Sequence, residues 1–122
     1  MHDPTRGGLA TTCHEVATRA GVRVALEQAA VPVRPEVCGV CELLGLDPLY
    51  VACEGRVVAF VAPADADRAL QALRDHPLGR DAARVGRVAE RGRGEAPVVL
   101  RTLYKTERPL DLLAGAELPR IC

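Results

Sequence analysis

Tryptophan is absent, and Tyr50, Phe60 and Tyr104 are the only aromatic residues among 122. Any core must therefore come from Val, Leu, Ile and Ala. Lysine is nearly missing too, since fifteen of the sixteen basic residues are Arg, which together with abundant Ala reads first as genomic bias. Net charge is lacking: sixteen acidic side chains cancel the sixteen basic ones. That balance argues against nucleic acid or an anionic membrane as the main partner. No apolar run approaches the roughly 18 residues of a membrane span. The N-terminus lacks the basic-then-apolar pattern of a secretory signal. With no such signal, the odd count of five cysteines points to reduced thiols in a cytoplasmic chain.

What is present suits one domain. The chain is 48% hydrophobic and long enough to bury a core. Thr5 is a candidate helix cap ahead of Leu9, Cys13, Val16, Ala17 and Ala20, spaced as one helical stripe that Gly21 ends. Val22–Leu26 alternates as a strand. Pro35 opens a second helix, with Val37, Val40, Cys41 and Leu44 as its stripe and Gly45 as its stop. The nearly all-apolar Arg56–Ala62 predicts a strand covered on both faces. Pro63 opens a third helix with Ala66, Ala69, Leu70 and Leu73 toward the core, and His76-Pro77 ends it. Ala83–Ala89 and Pro97–Thr102 read as strands joined by a hairpin at Arg91–Gly94, Arg101–Pro109 as an edge strand or loop, and Leu110, Leu112 and Leu113 as a docking turn. The order predicts an α+β layered fold, a mixed β-sheet packed with helices. The expected division is a domain over 1–116 and a carrier tail over 117–122.

Four features carry chemistry or mimic it. Gly7-Gly8 beside Arg6 at a helix start suits either an anion or a tight turn. Cys38-Gly39-Val40-Cys41 is formally a C-x-x-C, but it lies inside a helix with no second such pair, which favours an inert role. Glu54-Gly55 places a carboxylate at a strand mouth, either lining a cleft or solvated in a turn. Cys122 ends the sequence beside its own carboxylate, which raises a thiol pKa, and Arg120, which lowers it. Extended, Ala116–Cys122 carries the sulfur roughly 20 Å. That describes a swinging carrier arm or a frayed end.

Taken jointly, Asp3-Pro4-Thr5-Arg6-Gly7-Gly8-Leu9, Leu46-Asp47-Pro48-Leu49-Tyr50, Glu54-Gly55, His76-Pro77-Leu78-Gly79 and Pro119-Arg120-Ile121-Cys122 resemble the HypE family. These are carbamoyl dehydratases of nickel–iron hydrogenase maturation, related to aminoimidazole ribonucleotide (AIR) synthase. The resemblance runs through the whole chain but covers only the family's C-terminal domain, with nothing corresponding to the N-terminal ATP-binding, dimer-forming domain. It departs from the family pattern at Cys53, which stands in place of Asn. The resemblance implies that Cys122 receives a carbamoyl group from the carbamoyltransferase HypF. Dehydration with ATP and Mg2+ then gives a thiocyanate whose cyanide passes to iron on a HypC–HypD scaffold. It implies Glu54 as the base, with Asp3, Thr5, Arg6, Gly7 and Gly8 at the nucleotide phosphates, and no ATP bound tightly by this chain alone. Two rival readings are a non-catalytic docking or dimerisation module, and a zinc or redox protein using Cys13, Cys38, Cys41 and Cys53.

Overall fold

A computed structural model describes residues 2–112. The expectations placed on Leu113, on the 117–122 tail and on Cys122 lie outside the described residues. The first helix, α1, spans Gly8–Ala20 and is closed by Gly21 in the left-handed region, whose N–H donates to the Ala17 carbonyl. Its start differs from the expected Thr5 cap. Gly7, at φ 66°, is the cap residue, and no side chain caps the helix.

Strand β1 (Val22–Glu27) follows, then α2 (Pro35–Leu44), α3 (Ala66–Arg74), β2 (Gly86–Glu90), β3 (Val98–Arg101) and β4 (Glu107–Pro109). The strands form one mixed sheet in the order β2-β1-β3-β4. β1 pairs antiparallel with β2 and parallel with β3, and β3 pairs antiparallel with β4. The expected hairpin between β2 and β3 does not form, because β1 lies between them. The turn there closes on itself, with Arg91 Nε donating to the Glu95 carbonyl and Gly92 N to Glu95 Oε2.

The core sits between α1 and the middle of the sheet. Ala10, Cys13 and Ala17 pack on Val24, Leu26, Val98 and Leu100, and Leu49, Tyr50 and Leu110 complete the cluster. Small residues on α1 let the helix approach the strands closely. Each buried Val or Leu contributes about 1.5–3 kcal/mol. On the opposite face, alternation places Arg23 and Glu27 of β1 beside Arg101 and Glu107. Arg23 pairs with Glu107 at 2.7 Å, and Arg101 with Glu27 at 3.0 Å and Glu107 at 3.3 Å. Hydrogen bonds from Arg101, then Arg23, hold the Glu107 carboxyl below its ordinary range.

Two further expectations differ. The Arg56–Ala62 run joins no sheet; its one rung is an antiparallel bridge between Val58 and His2. Nor is the run covered on both faces as expected: Val57 and Val61 stand 50% and 44% exposed, and only Val58 and Phe60 are half-buried. The stripes of α2 and α3 are not turned into the core. α2 buries only Cys41, leaving Val40 at 55% and Leu43 at 85% exposed, and α3 buries no residue. His76 does end α3: its N–H donates to the Leu73 carbonyl, and its Nδ1 accepts from Leu78 N.

Candidate functional site

Two separate stretches meet at the start of α1, and a third is tied to them through the 47–50 loop. The first is residues 2–8, which hold the Asp-Pro-Thr-Arg-Gly-Gly run. His2 and Val58 exchange both backbone hydrogen bonds, at 2.9 and 2.8 Å, and Cys53 N donates to the Pro4 carbonyl at 3.1 Å. The short segment carrying Asp3 is thus laced to the one carrying Glu54. Between those rungs the 53–58 segment turns outward through Gly55, at φ 67°.

The second stretch is the 47–51 loop. Ala10 N, in the first turn of α1, donates to the Leu49 carbonyl at 2.9 Å. Gly8 is pressed against the same loop. A Cβ placed on it would lie 2.5 Å from the Leu49 oxygen and 2.7 Å from the Val51 oxygen. With φ at +66° as well, only glycine fits there. The glycine pair therefore has a packing duty at the turn, whatever else approaches its N–H groups. Thr12 Oγ1 closes the first turn by donating to the Gly8 carbonyl at 3.1 Å.

The third stretch is the end of the described chain. Tyr50, buried in the core, donates its hydroxyl to the Asp111 carbonyl at 2.7 Å. Burial and then Asp47 push the Tyr50 hydroxyl up from its ordinary pKa, so it remains a donor. Asp47 grips from the other side: Oδ1 accepts from Leu49 N at 2.9 Å, and Oδ2 meets Arg108 at 2.9 Å. Leu110 is buried, with its N–H on the Val98 carbonyl. The sequence marks Leu46–Tyr50 only as one motif of the family resemblance and assigns Asp47 and Tyr50 no role of their own. The available signal was an Asp two residues before a backbone N–H, the pattern of an Asx turn.

Asp3, Thr5, Arg6, Gly7, Gly8 and Glu54 are thus brought to one end of the domain. Asp3, Arg6 and Glu54 are exposed, and none of the three makes an ion pair among the described residues. Of the two settings open to Glu54, this domain supplies the solvated turn: the residue is exposed beside Gly55, at φ 67°. An open concavity lined by Glu27, Arg101, Lys105 and Glu107 shares no residue with this end.

The four described cysteines form no common cluster. Burial pushes the Cys13 thiol up to about 12, well out of the reactive range. Cys41 is buried in α2, Cys38 is partly exposed, and Cys53 Sγ lies 3.3 Å from the Val51 carbonyl. Among the described residues, no three His, Cys, Asp or Glu side chains are grouped to hold a metal.

Comparison with known proteins places this geometry. The C-terminal domain model of AIR synthase related proteins matches residues 1–99. The carbamoyl dehydratase HypE of Cupriavidus necator is 56% identical over 122 residues, covering 100% of this chain and 34% of that protein. HypE of Rhodobacter capsulatus is 50% identical over 120 residues, covering 98% of this chain and 35% of that protein. A crystal structure of Escherichia coli HypE superposes with a TM-score of 0.90 at 47% identity, over 99% of this chain and 36% of that one. A HypE in complex with ATP gives 0.90 at 43% identity, over 99% and 37%. A HypE–HypF complex gives 0.83 at 35% identity, over 90% and 35%. The chain spans about a third of the length of the curated relatives it matches.

Proposed function

Because this chain belongs to the AIR synthase-related family, to its C-terminal domain, we propose that it serves as that domain of a hydrogenase-maturation carbamoyl dehydratase. The observation that carries the reading is the lacing of residues 2–4 to 53–58. It sets the Asp3–Gly8 run and Glu54 at one end of the domain, although some fifty residues of sequence separate them.

In this reading Cys122 is the carrier. Its thiolate takes a carbamoyl group from a HypF-type carbamoyltransferase and becomes a thiocarboxamide. The amide oxygen then attacks the γ-phosphorus of ATP and ADP leaves. One N–H proton leaves to give the O-phosphorylated imidate, and loss of phosphate from carbon and of the second N–H proton from nitrogen then gives the thiocyanate. The amide oxygen departs in the phosphate, so the chemistry balances as a dehydration. Glu54 takes up a proton at the amide nitrogen. A base so placed contributes about 10²–10⁴-fold.

Asp3, Thr5, Arg6 and the N–H groups at Gly7 and Gly8 face the nucleotide phosphates, where a helix start favours negative charge. ATP enters as its magnesium complex, whose cation neutralises phosphate charge. The exposure of Asp3, Arg6 and Glu54 fits a half-site completed by the ATP-binding part of the longer enzyme. The thiocyanate passes its cyanide to iron on a HypC–HypD scaffold, a reaction for the cytoplasm, and the complete enzyme is a candidate homodimer.

The test is peptide-level mass spectrometry after incubating the complete enzyme with carbamoyltransferase, carbamoyl phosphate and ATP. Cys122→Ala should abolish loading, and Glu54→Gln should let carbamoylated Cys122 accumulate. A carbamoyl group on Cys13, Cys38, Cys41 or Cys53, or unchanged conversion by Glu54→Gln, would overturn the assignment. The exposed apolar side of α2 favours a second duty as a docking module. A Cys122 that never becomes modified would make that the primary one.

A further inference from the structure

The 47–50 loop touches both the start of α1 and the last described residues. It holds α1 through the Leu49 carbonyl and the close approach of Gly8. It holds the 108–111 segment through two further grips, Asp47 on Arg108 and Tyr50 on the Asp111 carbonyl. One carboxylate shapes the loop and grips β4 together, since Asp47 accepts from Leu49 N with one oxygen and meets Arg108 with the other. The Tyr50 ring is buried, and its half-buried hydroxyl would lose its carbonyl partner if Asp111 moved away. Leu110, buried with its N–H on the Val98 carbonyl, pins the same segment to β3.

We propose that the Asp47–Tyr50 loop is a clamp fixing the root of the C-terminal segment beside the candidate site, with Tyr50 a positioning residue for the dehydration step. The inference deepens the proposed function and rests on its assignment of Cys122 as carrier. The eleven residues from Asp111's neighbour Leu112 to Cys122 reach at most roughly 40 Å when extended. A fixed root confines the thiol to a volume that includes the α1 start and raises its effective concentration there. Loading requires only that the thiol meet another protein, so a loosened root should not hinder it. Dehydration occurs at this domain and should depend on the root.

The decisive variant is Tyr50→Phe, which keeps the buried ring and removes the hydroxyl. In the 122-residue chain, amide hydrogen exchange at Leu110 should quicken about tenfold, as for one lost hydrogen bond of roughly 1.4 kcal/mol. Exchange at Val24 and Leu26 should not change. In the complete enzyme, kcat for dehydrating carbamoylated Cys122 should fall about tenfold, with KM for ATP and the loading rate unaltered. Asp47→Asn, which keeps an oxygen for Leu49 N but loses the charge facing Arg108, should give a smaller loss. It also carries the test should Tyr50→Phe fail to fold. Unchanged Leu110 exchange would overturn the clamp. Loading and dehydration falling together would show a general folding defect and overturn the positioning role. Faster Leu110 exchange with no carbamoyl group on Cys122 of the parent enzyme would leave the clamp standing and remove the carrier assignment and the dehydration role with it.

Discussion

α1 and α2 both carry apolar stripes at helical spacing, yet α1 buries Ala10, Cys13 and Ala17 against the sheet whereas α2 buries Cys41 alone. The buried residues of α1 are small, which lets its backbone settle onto Val24, Leu26, Val98 and Leu100. The apolar residues that α2 leaves outside the core are larger, with Val40, Leu43 and Leu44 standing 55%, 85% and 63% exposed. A stripe shows that a surface suits burial, not what buries it. Apolar patches of this kind mark contact surfaces, and they fit a domain whose relatives are about three times its length.

Four measurements would break or sharpen this contrast. The widest gap should appear in thiol labelling at pH 8. Cys13, with its pKa pushed up to about 12 from 9.0, should label about 10³-fold more slowly than an ordinary thiol, and the partly exposed Cys38 on α2 should label well ahead of it. Equal rates, read by mass spectrometry, would mean that the α1 side opens as readily as the α2 side. Next comes Leu26→Ala, expected to cost about 2–5 kcal/mol in urea unfolding. Leu43→Ala should stay within about 0.5 kcal/mol of the parent. A large loss at Leu43 would show that its face is covered in solution.

The third comparison pairs two glycines with the same φ of 66°. Gly45→Ala at the end of α2 meets open space and should cost only the left-handed penalty, about 1–2 kcal/mol. Gly8→Ala must also displace the Leu49 and Val51 carbonyls, adding about 1–3 kcal/mol of overpacking in the same denaturation assay. The smallest effect belongs to the charged face of the sheet. Glu107 has a lowered folded pKa, so its contribution is present above the ordinary glutamate range and is lost as pH falls through that range and below. Glu107→Gln should therefore flatten the acid side of a Tm-against-pH curve slightly and leave neutral stability nearly intact.

Much of the fold was legible because its signals are local. Gly21 and Gly45 ended α1 and α2 as read, and alternation at Val22, Val24 and Leu26 marked β1. Strand partners were not legible. β2 and β3 look like a hairpin in the sequence, yet β1 sits between them, a choice made by long-range packing under α1. The Arg56–Ala62 run has strand composition but no alternation to fix a face, and its pairing with His2 depends on residues far away in sequence. At the candidate site, Asp3 and Glu54 could be linked in advance only through family resemblance. Tyr50 looked like one more apolar residue, because a hydroxyl's partner sixty-one positions away leaves no local trace.

The parallel pairing of β1 with β3 also sets when the domain can exist during synthesis. Val24 lies opposite Val98, so the central rung closes a loop of roughly seventy residues and pays its entropy before any rung rewards it. α1 and β1 are made before β3 and have no complete floor to pack on until it follows. Throughout that interval Val24 and Leu26 are an open apolar edge, the interval in which a nascent chain is most exposed to chaperones, proteases and its own neighbours.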